Sequence, residues 1–476
     1  MAFSRYRNVL HRHSRALGAT LLIAFIVSAC SVQRHSGAAS HSNWKVGLAR
    51  TVITPNEVTW LSGYGSRTKP AEGIEQDLFA KAVAFEDFKG TRLVLVTMDL
   101  GSVNVNTTDY VAAQVEKRFG LPRANLVLNC SHTHCAPEIG AERRVFCNLS
   151  DIEAAKLDRY IDQTNEKLVA LIGAALADLK PAHLSVGHSQ AGFAWNRRHP
   201  SGINTNGVTD REVPVLRVTD VKGKLRGVLF GYACHNTTLN FQRFCADYAG
   251  YAQAEIEADH PGAIAMFVMG CGGDQNPQPR HAKDPKENAK QLQYAKQHGR
   301  ELADAVNRAM TGELQPLRGP LSVAYEVATL DLEPLPPVDD LRTQAKGAAT
   351  KVETRKARYL VGLLDAGKQI PLTQSCPLHV ARFGDDLLWI FISGETVVDY
   401  SLRFKREFAG PFVWVAGYCD DVFAYLPSQR VRLEGGYEGS DGIVHQLTAT
   451  PFQPTVEQRV MEAITRLVSE TKTASH

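Results

Sequence analysis

The chain has 476 residues, 44% hydrophobic and 22% charged, with no low-complexity tract. That length suits two or three domains with a core needing no disulfide help, and the composition excludes a disordered, collagenous or multi-span membrane protein. Lysine and arginine number 53 against 50 acids; four of these cations (Arg5, Arg7, Arg12, Arg15) lie in the first 30 residues, where no acid occurs, so the remainder is near neutral. Nothing there steers the protein onto nucleic acid.

The basic stretch Arg5–Arg15 leads into the apolar run Ala16–Val27. Twelve helical residues reach about 18 Å, short of a ~30 Å bilayer core, so residues 1–30 read as a secretory signal peptide. Val27-Ser28-Ala29-Cys30 also resembles a bacterial lipobox, and Ser31 in place of an aspartate points to the outer membrane. The expectation is an exported lipoprotein, periplasm-facing and held to the membrane surface by a lipidated Cys30. The alternative is an ordinary signal peptide with an incidental cysteine. Residues 31–43 are small and polar, as a flexible tether would be.

From Trp44 onward the pattern predicts alternating strands and helices. Strands are expected at Ala80–Phe85, Leu93–Thr97, Asn125–Asn129, Gly227–Ala233, Ala263–Met269, Ser322–Asp331, His379–Phe383, Leu387–Ile392 and Phe412–Ala416. Several are near-continuous apolar runs, typical of strands covered on both faces. Ser150-Asp-Ile-Glu153 is a capping box opening a helix to about Leu179. Further helices are expected over Asn288–Met310, Val338–Asp365, Glu395–Phe408, and after Thr455. The reading is an α/β fold with a mixed, largely buried sheet and flanking helices. No internal repeat is visible. The PLPPVDD stretch marks a seam between a main part, 44–335, and a C-terminal part, 336–476, of one catalytic unit.

Export places the cysteines in an oxidising compartment. With Cys30 assigned to lipid, Cys130, Cys135, Cys147, Cys234, Cys245, Cys271, Cys376 and Cys419 remain. An even number permits disulfides such as Cys135–Cys147 and Cys234–Cys245 without fixing connectivity. No CxxC occurs, so a thiolate zinc finger is unsupported.

Five clusters carry candidate chemistry. Asn129-Cys-Ser-His132-Thr-His134 leaves a strand at its C-terminal end; two histidines at i, i+2 in extended chain point to one side and can share a metal, or they are simply polar loop residues. His235 ends another apolar run, where a structural, hydrogen-bonded histidine is the plainer reading. Gly270-Cys-Gly-Gly-Asp274 is a strand-then-glycine loop that lets backbone approach a ligand, or a tight turn. It fits neither GxGxxG nor a P-loop, so no nucleotide is expected. Ser393-Gly-Glu395 puts a carboxylate in a first helical turn, which the helix dipole alone would favour. Tyr425 and Tyr437 follow, each able merely to pack. Asp99, ending an apolar run, reads as structural.

Taken in order, SHTH, a strand-ending His, GGDxxP, SGE and Tyr–x11–Tyr-Glu-Gly resemble the catalytic domain of the neutral/alkaline non-lysosomal ceramidases. Val46-Gly-Leu-Ala-Arg, Gly63-Tyr64-Gly65 and Phe193-Ala-Trp-Asn196-Arg197-Arg198 extend the likeness from about Val46 to the end. The resemblance implies a zinc-hydrolase-like domain with one catalytic Zn²⁺ held by His132, His235, Glu395 and Tyr425. His134, Arg197 and Tyr437 would surround the reacting amide. Zinc would bring a water's pKa down to about 7, His134 would shuttle the proton to the leaving amine, and Arg197 and Tyr437 would steady the oxyanion or freed carboxylate.

The implied activity is hydrolysis of an N-acylsphingosine-like amide to fatty acid and sphingoid base. Two departures stand out. Asn276 occupies the family's serine position in Gly-Asp-x-Ser-Pro, which excludes a serine nucleophile there. The chain also ends after the Thr455 helix, so no C-terminal immunoglobulin-like domain is expected. The alternatives are a zinc amidase or peptidase with another substrate, or a non-catalytic lipid- or glycan-binding lipoprotein. A second ion, calcium or magnesium, is left open.

Overall fold

The computed structural model describes residues 44–140, 149–198, 207–447 and 449–473. The leader, the tether, Cys30 and Cys147 lie outside them. The strands are β1 (Trp44–Val52), β2 (Phe79–Asp87), β3 (Arg92–Met98), β4 (Leu126–Cys130), β5 (Lys180–Gln190), β6 (Ala194–Asn196), β7 (Glu212–Asp220), β8 (Leu225–Tyr232), β9 (Ile264–Met269), β10 (Gln275–Pro277), β11 (Gln315–Pro316), β12 (Leu321–Asp331), β13 (Thr373–Phe383), β14 (Leu387–Ile392), β15 (Glu395–Thr396), β16 (Phe412–Ala416) and β17 (Tyr425–Leu426). One large sheet runs β4-β3-β2-β1-β5-β7-β8-β9, with β11 beside β5; a smaller one runs β12-β13-β14-β16. The smaller sheet opens at Leu321, ahead of the Pro334–Asp340 stretch.

Side-chain alternation along β3 shows how these layers stack. Val94 and Val96 join the core formed with helices Val105–Phe119, Asp151–Ala177, Asp247–Asp259 and Gln291–Thr311, whereas Leu93 and Leu95 face Phe383, Trp389 and Trp414 of the smaller sheet. A third core joins the outer face of that sheet to helices Val398–Glu407 and Val456–Thr473. The order is therefore helices, sheet, sheet, helices. Strands enclosed on both faces cannot show polar alternation, which is why strands such as β3, β9 and β14 were readable as apolar runs. The missed strands β1, β5 and β7 carry charged or polar residues on partly exposed positions.

Although no repeat is visible in the sequence, the chain path repeats three times. β1-β2-β3, β5-β7-β8 and β12-β13-β14 are each antiparallel meanders. Each then passes through a helix to a strand parallel to its last member: β4 beside β3, β9 beside β8, β16 beside β14. Such crossovers gather the C-terminal ends of parallel pairs, where sites form in α/β sheets.

Two helices begin differently from expectation. Val338–Asp365 is two helices, 338–345 and 352–365, interrupted around Gly347. Glu395 lies not in a helical turn but in the short parallel pair β15–β17, and the helix starts at Val398. The Ser150 capping box forms as read, with Glu153 N–H on Ser150 Oγ and Ser150 N–H on Glu153 Oε2. All seven described cysteines are free and buried, so the Cys234–Cys245 bridge is corrected: both thiols sit in packed apolar surroundings. Among the described residues no helix is long and apolar enough to cross a membrane.

The segment after β16 plugs the gap where β4 and β9 converge. Asn129 Nδ2 donates to Gly417 O at 2.7 Å, its Oδ1 accepts the Met269 N–H at 2.9 Å, and Asp420 Oδ1 accepts the Leu128 N–H at 2.9 Å. Asp420 Oδ2 meets His379 Nε2 at 2.6 Å and Arg123 Nη2 at 3.2 Å. Burial alone would raise the Asp420 pKa, but Arg123 and His379 hold it below the ordinary value. Its stabilisation is therefore fully present above the unfolded-state value of about 3.9 and lost as pH falls through the lower folded one. Asp420→Asn is expected to cost about 3–5 kcal/mol at pH 7 and to flatten the acid limb of a urea-unfolding series below about pH 4. Parallel pH profiles for parent and variant would count against this.

Candidate metal centre

His132 follows β4 with φ +61°, a left-handed conformation unusual for a residue with a side chain. The expected extended i, i+2 geometry is thus corrected: this backbone turn, rather than strand alternation, brings His132 and His134 together, Nε2 to Nε2 at 3.2 Å. Tyr418 and Asp420, in the plugging segment, share the positive φ. Strain of about 1–3 kcal/mol per such residue persists only where the surroundings over-determine it, and here backbone bonds from Cys130 to Tyr418 and from Asp420 to Leu128 do so.

The two candidate imidazoles are held alike from different repeats. His132 Nδ1 donates to Gly101 O and His235 Nδ1 to Gly272 O, each at 2.6 Å. A carbonyl only accepts, so both rings carry a proton on Nδ1, and each ring when neutral has its lone pair at Nε2. Both Nε2 atoms face one carboxylate oxygen, Glu395 Oε2, at 3.1 and 3.4 Å. Glu395 and Tyr425 are register partners across β15–β17, and Tyr425 Oη lies 3.4 Å from His235 Nε2.

Burial and Arg197 push His235 down to about 4. The buried Glu395 Oε2 makes no hydrogen bond, so two lone pairs and a carboxylate converge with no donor among them. That donor set fits a cation. N and O ligands about 2.0–2.1 Å from a tetrahedral ion stand roughly 3.3 Å apart, close to the spacings here. His132, His235 and Glu395 form the one group of three His, Cys, Asp or Glu residues able to hold an ion among the described residues.

The other anticipated residues gather around this group. The His134 ring meets Tyr64 edge-on at 4.6 Å, and burial, then His132 and His235, keep it neutral with a pKa well below the ordinary value. The Arg197 guanidinium lies over the Tyr425 and Tyr437 rings at 5.3 and 5.6 Å. Its Nε donates to Glu438 Oε1 at 2.6 Å and its Nη1 to Asn276 Oδ1 at 3.5 Å, while Nη2 has no hydrogen bond. Asn276 thus abuts the candidate catalytic arginine.

The glycine loop acts otherwise than expected: backbone does approach closely, but the approaching partner is the chain itself. A Cβ on Gly273 would lie 2.6 Å from Glu395 O, and one on Gly272 would lie 2.9 Å from Cys234 N. Asp274 locks this loop by accepting from Asn196 Nδ2 and the Val398 N–H. Asp99 accepts from the Phe79 N–H and Gln253 within the core. Sequence reasoning missed Glu438, Gly101 and Arg67, whose Nη2 donates to His134 O at 2.7 Å. Only Glu438 had a signal, its place beside Tyr437.

Fold and site together define a mixed α/β protein with a buried His/His/Glu group able to hold a metal ion at converging strand ends. The family model described as neutral/alkaline non-lysosomal ceramidase, N-terminal, matches residues 44–283, and the chain belongs to that family. It is similar to the neutral ceramidase of Drosophila melanogaster, 26% identical over 263 residues (50% of this chain, 36% of that one), and to that of Pseudomonas aeruginosa, 25% over 280 residues (56% and 41%). The matches thus span well under half of these relatives. A crystal structure of the Pseudomonas aeruginosa neutral ceramidase superposes with TM-score 0.71 at 20% identity, covering 90% of this chain and 75% of that one. A ceramidase structure in complex with C2 gives 0.69 at 20% identity, covering 90% and 76%. Both show the fold.

Proposed function

We propose that this chain is a zinc-dependent amidohydrolase that cleaves an N-acyl amide of ceramide type into a fatty acid and an amine. The observation that carries this reading is Glu395 Oε2 facing the Nε2 lone pairs of His132 and His235 within a cleft open to solvent. A zinc ion bound there would supply Lewis acidity and lower the pKa of water toward about 7. The neutral His134, facing the group through Nε2, holds and passes the proton that the leaving amine requires. Arg197, braced by Glu438 and with Nη2 unused, stabilises the negative charge that develops on the acyl oxygen, joined by the Tyr437 hydroxyl. Asn276 offers no nucleophile, which leaves direct attack by water.

Names of relatives support the substrate class, and the leader ending in Cys30 supports an exported enzyme tethered at a membrane surface, where N-acyl lipids lie. The test is fatty-acid release from an N-acylsphingosine by the purified chain before chelation, after chelation, and after zinc is restored. Release that is lost and regained supports the reading. Release indifferent to chelation would remove the metal from it, and no release by the zinc-loaded chain would remove the substrate.

A further inference from the structure

One wall of the cleft beside the His/Glu group is built by two antiparallel segments. The Ser62 N–H donates to Ala136 O at 2.8 Å, the Glu138 N–H donates to Trp60 O at 2.9 Å, and Leu61 pairs with Pro137. This ladder fixes Glu138 in the wall, where it lines the cleft while only 3% exposed. Among the described residues its carboxylate has one partner, the Gly140 N–H, which donates to Oε1 at 2.8 Å. A carboxylate can accept about four hydrogen bonds, and withdrawing one from water is costly unless they are made. Apolar side chains would line this wall better if only an acyl chain lay against it.

We propose that Glu138 recognises the amine side of the substrate: Oε2 accepts a hydrogen bond from a hydroxyl on that portion. The site then selects N-acyl amino alcohols over N-acyl derivatives of plain alkylamines. The selectivity follows because a buried polar group left unpaired penalises the ligand that lacks the hydroxyl. This inference rests on the amide-hydrolase reading above.

The test uses two amides of one skeleton, N-octanoylserinol and N-octanoylisopropylamine, with the parent, Glu138→Gln and Glu138→Leu. The parent is expected to prefer the serinol amide. The ratio of kcat/KM values falls about tenfold or more in Glu138→Leu, mainly through KM, while Glu138→Gln keeps most of it because its amide still pairs with the hydroxyl, the oxygen staying on the Gly140 N–H and the NH2 donating to the hydroxyl oxygen. Both substrates slowed alike, with the ratio kept, would mean that Glu138 only holds Gly140, and would overturn the proposal. Equilibrium binding of the same amides to chelated protein gives a second readout that needs no turnover. If the parent cleaves neither amide yet binds the serinol amide through Glu138, the hydrolase reading fails and the recognition stands. Equal binding with and without the carboxylate overturns the recognition whatever the activity.

Discussion

His132→Ala is expected to lose both bound metal and amide hydrolysis. Its Nε2 is one of two lone pairs aimed at Glu395 Oε2, and the ring is fixed by the Nδ1–Gly101 bond. Removing even an indirect support of a ligand costs roughly 10–100-fold in metal affinity, and removing a ligand should exceed that. Turnover should fall by about 10³-fold or more, because His134 Nε2 also loses the partner 3.2 Å away that orients it. Metal content after dialysis and fatty-acid release, measured on the same preparation, check both halves. A variant that keeps one equivalent of metal per chain would sink the ligand assignment.

The second large effect separates the proton carrier from the metal. A Cβ added at Gly63 would lie 2.2 Å from the His134 ring, and the residue has φ +89°, so Gly63→Ala is strained twice over. Backbone on both sides is held by Ser62 N–H on Ala136 O and by Arg67 on His134 O, so the ring must yield. A displacement near 1 Å at a reacting group costs about 10²-fold in rate. His132 is held by its own Nδ1–Gly101 bond, and His235 and Glu395 lie on other segments, so metal should remain at one equivalent while kcat falls about 10²-fold or more. Loss of metal together with rate would show that His134 and the metal residues cannot be disturbed separately. Unchanged kcat would remove His134 from the reaction.

Much of this protein could be read without coordinates, for identifiable reasons. Strands enclosed between helices and a second sheet must be apolar on both faces, so β2, β3, β9, β14 and β16 announced themselves. A capping box is local chemistry, and Ser150–Glu153 formed as written. The order of short motifs singled out His132, His134, Arg197, His235, Glu395, Tyr425 and Tyr437, and the structure gathers all seven. What the sequence could not supply was the reason they meet.

Convergence depends on contacts between residues hundreds of positions apart. The threefold repetition of meander and crossover is conserved in path, not in residues, and so left no mark on the sequence. The left-handed turn at His132 exists because the segment after β16 pins Cys130 and Leu128, and Glu395 leaves the helix because it pairs with Tyr425. The seven described cysteines stay apart because each is packed where the fold places it, whatever the parity of their number. Local sequence thus determined which segments are strands or helices and which side chains could bear chemistry, since propensity and periodicity act over a few residues. Tertiary structure alone decided which lone pairs face which carboxylate, because those distances are set by sheet packing across the whole chain.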